Sequence, residues 1–528
     1  MNRRSFLRTS AAASSGLFLA SHLPEILYAS ASALEDSPFR HGVASGDPFP
    51  TRGIIWTRVT PSDDAEPGSG KGKPVDVIWE VARDPGFKQI EAAGRVTVDK
   101  RTDHTLKIDV SKLAPATDYL FRFRSKGKTS RVGRLRTAPD PVADNDSLRF
   151  GVVSCSNYEG GYFTGYRHLA QRSDLDLVLH LGDYIYEYGS GDYGPGADIG
   201  RTHAPNHEIV SLSDYRTRYG QYHQDLDLQD LHSAAPFITI WDDHEVTNDS
   251  YAEGAENHQE DEGDYIARRN DAYRAYFEWM PVRQKRDPRR LYRGFRFGEL
   301  VDLTMLDLRQ YRTIQPSNQA DPAKDDPSTT ITGDPQMQWF KKRLGRERAQ
   351  WKIVGNQVMF VPWDTAPDVP YNVDAWDGYR ADRQELIDHM SAGEINNITF
   401  LTGDIHTSWA AEVPLEKETY GTITGSACTE FVCPSITSDN LDDISGGPYR
   451  SSIPVEESIK ADNRWVKHVE LDSHGYSVVD VNRERLQMDF YYISDRTDPE
   501  ATQAFASAWA TTDGTNEVTE SSEPIPER

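Results

Sequence analysis

Cysteine is scarce in this sequence, and basic side chains are too few to balance the acidic ones. Three cysteines, Cys155, Cys428 and Cys433, stand in 528 residues. An odd number leaves at least one thiol outside any internal pairing. Cys428 and Cys433 lie five positions apart and admit two readings, a disulfide or two buried thiols. Lys and Arg number 58 against 83 Asp and Glu, for a net charge of −25. Such a surface repels nucleic acid and anionic membranes at long range, which argues against a stable polyanion complex. It does not argue against turning over a small anion in a site that carries its own cations. Long apolar runs are also missing: beyond the N-terminal segment none approaches the roughly 18 residues of a membrane-spanning helix. The composition is that of an ordinary globular protein, not of collagen, coiled coil or a wholly disordered chain.

The N-terminus has the layout of an export signal. Asn2, Arg3, Arg4, Ser5, Phe6, Leu7 and Arg8 precede a mildly apolar Ala/Ser/Gly/Leu run, followed by Ala29-Ser30-Ala31 and Ala31-Ser32-Ala33. A basic start, a short apolar middle and small-x-small residues make a signal peptide over residues 1–33. The twin arginine before x-Phe-Leu resembles the Tat type, whose passengers cross the membrane folded and can carry a cofactor inserted beforehand. Removing residues 1–33, which hold three Arg and one Glu, takes the net charge to −27. The expectation is a periplasmic or secreted protein, with the Tat machinery as its export partner, no transmembrane segment in the mature chain, and a monomer.

Residues 38–140 read as a small β-sandwich. Segments 54–59, 75–81 and 105–110 are β-rich or alternate apolar with polar residues, and turn clusters such as Pro67-Gly68-Ser69-Gly70 separate them. Leu113-x-Pro115-x-Thr117-x-Tyr119-x-Phe121 resembles the fibronectin type III signature, in which a tyrosine hydroxyl bonds back to the backbone at a corner. Residues 148–511 alternate strand and helix signals, as an α/β domain does. Helices are expected over 265–279, over 334–348 with Asp334 as N-cap, and over 382–390; residues 203–230 read as a partly helical insertion near the site. The acidic, Ser- and Thr-containing stretch 512–528 is expected to be a disordered tail.

Six apolar runs in the second domain, near residues 148–155, 175–183, 236–244, 300–307, 351–357 and 397–406, read as buried strands. Five or six polar groups follow such runs directly: Cys155, Asp183, Asp243, Asn356, Asp404 and His406. A single Asp after a strand is usually a turn residue or a helix cap. Several together, at the carboxyl ends of α/β strands where such folds place their sites, point to one centre.

The order Gly182-Asp183-x-x-Tyr186, Asp243-His244-Glu245, Gly403-Asp404-x-His406 resembles the metallophosphoesterase plan of purple acid phosphatases and calcineurin-like enzymes. This chain departs from it at Ser154-Cys155, Asp243, Asn356 and Asp404. Ser-Cys-x-Asn-Tyr, Gly-Asp-Tyr-Ile-Tyr-Glu-Tyr, Trp-Asp-Asp-His-Glu and Gly-Asp-Ile-His-Thr-Ser-Trp instead resemble the alkaline phosphatase D (PhoD-like) family. So does Gly42-Val43-Ala44-Ser45-Gly46-Asp47-Pro48 in the N-terminal domain. The resemblance implies a metallophosphoesterase-like sandwich of two mixed sheets flanked by helices, preceded by the fibronectin type III-like β-sandwich. It also implies a metal-dependent phosphoric ester hydrolase acting on a small phosphate ester at an iron and calcium site. Some relatives act as phosphodiesterases, including phospholipase D types, so that activity is the alternative at the same site.

Ligand chemistry agrees with that implication. Thiolate, phenolate and imidazole from Cys155, Tyr186 and His406 suit a transition metal, here Fe3+. Asp183 would bridge to a second ion. Asp243, Asn356 and Asp404 offer only oxygen, which suits Ca2+. His244 is assigned as general acid or hydrogen-bond donor to the transition state. Glu245 either orients it or has a structural role. Arg167 and Arg309 are candidate phosphate contacts, with ion pairing as the other reading of each. Trp376-Asp377-Gly378-Tyr379 also resembles a family segment, without an assigned role. A non-enzymatic calcium-binding protein is the third reading of the chain; it predicts metal binding without turnover.

Overall fold

Residues 37–284, 287, 289–346 and 348–528 are described in a computed structural model; the expected signal peptide lies outside them. Two mixed sheets face each other across the main core. One has ten strands, ordered from its edge as Thr519–Ser521, Gln503–Thr512, Arg485–Ile493, Gly475–Asn482, Ser147–Val153, Leu177–His180, Phe237–Thr239, Val43–Phe49, Arg52–Arg58 and Thr105–Ser111. The other has seven, ordered Arg293–Phe297, Val301–Met305, Trp351–Asn356, Ile398–Thr402, Ser426–Val432, Ser408–Pro414 and Val466–Glu470. Leu148, Phe150, Val152 and Val178 from the first sheet share one core with Leu303, Ile353, Leu401 and Phe431 from the second. These apolar strands are buried on both faces because helices cover the outer sides. A second core, with Phe340, Leu386 and Ile459 from helices Asp334–Leu344, Arg380–Ala392 and Ile453–Asp462, lies against the second sheet.

The strands that matter for function run in parallel. Leu177–His180 pairs in parallel with Ser147–Val153 and with Phe237–Thr239. Trp351–Asn356 does so with Val301–Met305 and Ile398–Thr402. Their carboxyl ends therefore open on the same side of the sandwich, where loops can carry side chains toward one point.

The N-terminal sandwich forms as expected, with Ile90–Val98, Val75–Ala82, Asp118–Ser125, Lys128–Thr129 and Gly133–Arg136 as its outer sheet. Tyr119 is buried at its corner, and its hydroxyl accepts from the Ala114 N–H at 2.8 Å. It is not, however, a separate unit on a linker. Its inner strands continue the ten-stranded sheet, joined where Gly46 pairs with Phe237. A Cβ at Gly46 would lie 2.7 Å from the Phe237 carbonyl oxygen, so glycine permits the close approach.

Two further expectations are corrected. The helix expected over 334–348 is Asp334–Leu344, and its cap is Gly333 at φ 67°, with Pro335 in the first turn. Glycine takes that left-handed conformation without the steric cost Asp would meet. The tail expected to be disordered contains the strand Thr519–Ser521, and Val518 and Ile525 are buried.

Candidate metal centre

Four expected ligands sit in the left-handed backbone region: Cys155 at φ 58°, Asp183 at 53°, Asp404 at 65° and His406 at 62°. Non-glycine residues seldom adopt it, and clusters of such strain mark functional sites. The strain is where each chain turns sharply after its strand. The Cys155 N–H donates to the Gly182 carbonyl at 3.2 Å and the Ser156 N–H to the Asp183 carbonyl at 2.9 Å, so the first two turns brace each other. Gly182, at φ 116°, lies so close to the third turn that a Cβ there would stand 2.8 Å from the Asp242 nitrogen.

Three groups of ligand-type atoms result, each with its atoms within 4.8 Å of one another: Cys155, Asp183 and His406; Asp183, Asp243 and His244; Asp242, Asp243 and Asp404. Asp183 joins the first two and Asp243 the last two. The structure therefore brings together Cys155, Asp183, Asp243, Asp404, His406 and His244 from the sequence reading. Tyr186 belongs with them: its hydroxyl donates to Asp183 Oδ2 at 3.0 Å, lies 3.4 Å from His406 Nε2, and accepts from Ser438 at 2.6 Å. His406 Nδ1 lies 2.7 Å from the Asp439 carbonyl, which can only accept, so Nε2 is left bare toward the cluster. Burial lowers the His406 pKa to about 4, which keeps the ring neutral and able to ligate.

The electrostatics ask for cations. Asp183 Oδ1 is buried without a hydrogen-bond partner, as is Asp242 Oδ2. Burial pushes the Asp183 carboxyl well above the usual range; His244 opposes this, and Asp242, Asp243 and Glu245 add to it. Burial, then Asp242, does the same to Asp404, against Arg309. Burial and the Asp183 charge raise the Cys155 thiol well up. Carboxylates and a thiol held this way ionise when a metal ion supplies the missing charge. The donor set fits two kinds of ion, one for S, phenol and imidazole and one for oxygen alone.

His244 is held differently from the ligands. Its Nδ1 lies 2.6 Å from Glu187 Oε2. Glu187 is fully buried and also accepts from the Asn248 N–H at 2.7 Å and from Asn257 Nδ2 at 2.9 Å. Although burial opposes charge, Glu187, Asp243 and Asp183 raise the His244 pKa well above its ordinary value. Burial likewise opposes the Glu187 charge, yet His244 and the other donors hold its pKa below the usual carboxylate range. Both shifts describe an ion pair, so Nε2 carries a proton toward Asp183 and Asp243. The Tyr186 ring covers the imidazole, with centroids 4.2 Å apart, and Tyr188 flanks it at 5.5 Å.

Two sequence assignments have their polar groups taken up by other partners, and a third enters the site in another role. Asn356 is fully buried, its amide nitrogen donating to Val358 O and Thr402 Oγ1 and its Oδ1 accepting from Trp376 Nε1 at 3.1 Å. Protein donors and acceptors thus use both ends of the amide, and Trp376 gains a role as its anchor. Arg167 forks onto Asp227 at 2.8 and 2.9 Å and reaches the Pro499 carbonyl. Arg309 does enter the site, but its guanidinium is spent on Asp242, on Asp374 at 2.7 Å and on Asp404 at 3.1 Å. It is a buried charge hub, not an open phosphate fork. Glu245 does not touch His244; it accepts the N–H groups of Asp183, Tyr184 and Asp242 at 3.1, 2.7 and 2.8 Å. Sequence reasoning missed Asp242 and Glu187. Both lie inside the quoted motifs, Asp242 one residue before Asp243 and Glu187 four after Asp183. All three cysteines are buried free thiols, which decides for thiols at Cys428 and Cys433.

Comparison with known proteins agrees with this architecture. Residues 150–490 match the PhoD-like phosphatase family model and residues 26–139 match the model of the PhoD-like phosphatase N-terminal domain. Alkaline phosphatase D of Bacillus subtilis (strain 168) is 36% identical over 517 residues, 95% of this chain and 86% of the relative. A solved structure of PhoD superposes with a TM-score of 0.84 at 33% identity, covering 93% of both chains.

Proposed function

Because this chain belongs to the PhoD-like phosphatase family and is a phosphoric ester hydrolase, we propose that hydrolysis takes place where Asp183 and Asp243 link the three ligand groups. Cys155, Asp183, Tyr186 and His406 would hold iron in its ferric state, since thiolate and phenolate favour a transition metal of high charge. Asp183, Asp243, Asp404 and the neighbouring Asp242 would hold calcium through oxygen alone. The observation that carries the reading is Asp183 Oδ1, a buried carboxylate oxygen without a partner at the junction of the first two groups. When bound, the ions would supply the positive charge that polarises phosphoryl oxygens and acidifies water. The chain's own residues do the rest. His244, with Nδ1 tied to Glu187, presents its Nε2–H to the phosphoryl or leaving oxygen and gives up that proton as the ester bond breaks. Tyr186 and Tyr188 fix the imidazole plane. Arg309 keeps Asp242, Asp374 and Asp404 from repelling one another apart.

The test is hydrolysis of a chromogenic phosphate monoester and the matching diester by metal-replete protein, with metal content measured alongside. Loss of turnover with a calcium-selective chelator, its return with calcium, and iron retained throughout is the expected result. Turnover indifferent to the chelator in protein that contains neither iron nor calcium would overturn the metal assignment. The monoester-to-diester ratio decides between phosphomonoesterase and phosphodiesterase. Export through the Tat route rests on Arg3 and Arg4; Lys at both positions should trap the protein inside the cell, and continued secretion would point to another route. No described helix is long and apolar enough to cross a membrane.

A further inference from the structure

A cavity of about 850 Å³ lies between the N-terminal sandwich and the helix Tyr265–Trp279. It shares no residue with the three ligand groups. One wall is the end of Ile90–Val98 with the turn Lys100–Thr102 and the start of Thr105–Ser111; the other is the helix face that carries Tyr273, Arg274, Phe277 and Glu278. The volume is that of a small-molecule site.

Its charge is the reverse of the molecule's. Arg101 pairs with Asp99 at 2.8 Å. Arg216 and Arg274 share the single carboxylate of Glu278, at 2.7 and 2.9 Å. Among the described residues, Lys107 and Arg289 form no ion pair with a carboxylate. Lys107 Nζ donates to the Phe277 carbonyl and stands 5.7 Å over the Phe277 ring. Burial lowers its pKa to about 8, against the pull of Asp47 and Glu278. Keeping a desolvated cation without a paired anion is costly, and here it occurs in a chain of net charge −25 with carboxylates in excess. The floor is aromatic and rigid: the Tyr273 ring stacks on Trp241 at 4.2 Å and 8°.

We propose that this groove is a second ligand site, apart from the metal centre, for an organic phosphate-type dianion with an aromatic part. The anion would sit against Lys107, Arg289 and Arg274, and the ring on Tyr273 and Phe277. Walls whose cations, Arg101, Lys107, Arg274 and Arg289, outnumber the carboxylates Asp99 and Glu278 give a local positive field that draws such an anion in, even to a protein that is acidic overall.

Phenylphosphonate is the probe, a dianion with a ring and no ester to hydrolyse. Calorimetric titration of metal-loaded protein should show two classes of binding. Asp183→Asn should keep the groove class. Lys107→Gln combined with Arg289→Gln should remove it and leave the metal-centre class. Arg289 is exposed, so Arg289→Gln alone does not endanger the fold; it should weaken the groove class roughly tenfold, the effect of losing one charge-assisted contact, with chromogenic ester turnover unchanged. Methylphosphonate should bind the groove more weakly than phenylphosphonate. A single class in the wild-type protein, or two classes of unaltered affinity in the groove variants, overturns the site; equal affinity for the two phosphonates overturns the part given to the rings.

Discussion

At the scale of single residues, the instructive pair is Glu187 and Glu245. Glu245 follows His244 in sequence, yet its carboxylate points into the backbone of the second and third turns, while Glu187, also from the second turn, takes His244 Nδ1. His244 and Glu245 sit in a tight turn, closed by the Val246 and Thr247 N–H groups on the Asp243 carbonyl at 2.7 Å, which sends the two side chains to different partners, so nearness in sequence does not make Glu245 the partner of His244. Glu187→Gln should lower kcat by roughly 10- to 100-fold, the usual effect of removing an outer partner of a site residue. KM and metal content should stay near the parent values. The effect should not add to that of His244→Asn, because both act through one imidazole; steady-state kinetics on the double-mutant cycle reads this, and additive losses would separate the two residues. Glu245→Ala should act on stability instead. It strips three buried N–H groups of their acceptor, at about 1–3 kcal/mol each, and urea unfolding should show the loss. The ligands after strands were legible because each ends an apolar run with a residue type that a core does not otherwise want. Asn356 read the same way, yet its amide is taken up by Val358, Thr402 and Trp376, because an amide finds partners inside protein as readily as at a metal. Asp242 and Glu187 were hidden, because sequence cannot say which of several neighbouring carboxylates a turn aims inward.

At the scale of elements, a layer of histidines and tyrosines underlies the centre. Helices Leu212–Tyr222 and Leu226–Ala234 deliver His223 and His232, stacked with centroids 5.3 Å apart and both within hydrogen-bond distance of the Tyr184 hydroxyl, at 3.2 and 2.8 Å. His180, at the end of its strand, meets the Tyr166 hydroxyl at 2.9 Å. Burial lowers the His180 and His232 pKa values to about 3 and that of His223 well down. The unfolded chain keeps these imidazoles near 6.5, so between 6.5 and about 3 it binds more protons than the folded one. Their contribution to stability is whole above pH 6.5 and is lost as pH falls through that window. Each group can cost up to about 1.4 kcal/mol per pH unit there. Urea midpoints should therefore drop steeply from pH 6.5 to 4.5 and be nearly flat, as far as these groups act, from 7 to 9. His232→Gln keeps an acceptor for Tyr184 and should make the acid limb shallower by up to one proton's slope; an unchanged slope would mean that His232 is not buried neutral. The insertion near residues 203–230 was readable from its polar, Tyr- and Asp-rich composition. Its partners were not, since the sequence does not show that its helices bring imidazoles beneath Tyr184. The helix Tyr265–Trp279 forms over the expected span, and Asp264 caps it, its side chain accepting from the Ala267 N–H at 3.2 Å.

At the scale of the whole molecule, the two units and the tail form one continuous body. The N-terminal sandwich joins the large sheet at Gly46, Asp47 pairs with Arg293 at 2.8 Å, and Trp56 Nε1 donates to the Glu278 carbonyl at 2.8 Å. Sequence reading divides such a chain at the Pro-rich stretch after residue 138, because strand patterns show which face is buried and not which neighbour buries it. The same limit explains the tail. Residues 512–528 hold few apolar groups, and composition alone favours disorder. Two of those groups nevertheless decide the outcome. Val518 and Ile525 are buried in the main core cluster; the Val518 N–H donates to Glu412 at 2.9 Å and the Ile525 N–H to Asp489 at 2.6 Å. Arg149 reaches the Pro526 carbonyl at 2.8 Å, and Arg528 pairs with Asp480 at 3.0 Å. Fully burying a Val or Ile side chain contributes about 1.5–3 kcal/mol, and ordering a dozen residues cancels part of the gain. A chain that stops after Asn516 should therefore lose roughly 2 kcal/mol or more, seen as a lower urea midpoint and a lower Tm. It should retain its specific activity at temperatures where it is still folded, because no tail residue belongs to the ligand groups. Val518→Ser with Ile525→Ser should reproduce most of the loss without shortening the chain. If truncation leaves the unfolding curve where it was, the tail is the passive extension its composition suggests, and the buried contacts of Val518 and Ile525 count for nothing in solution.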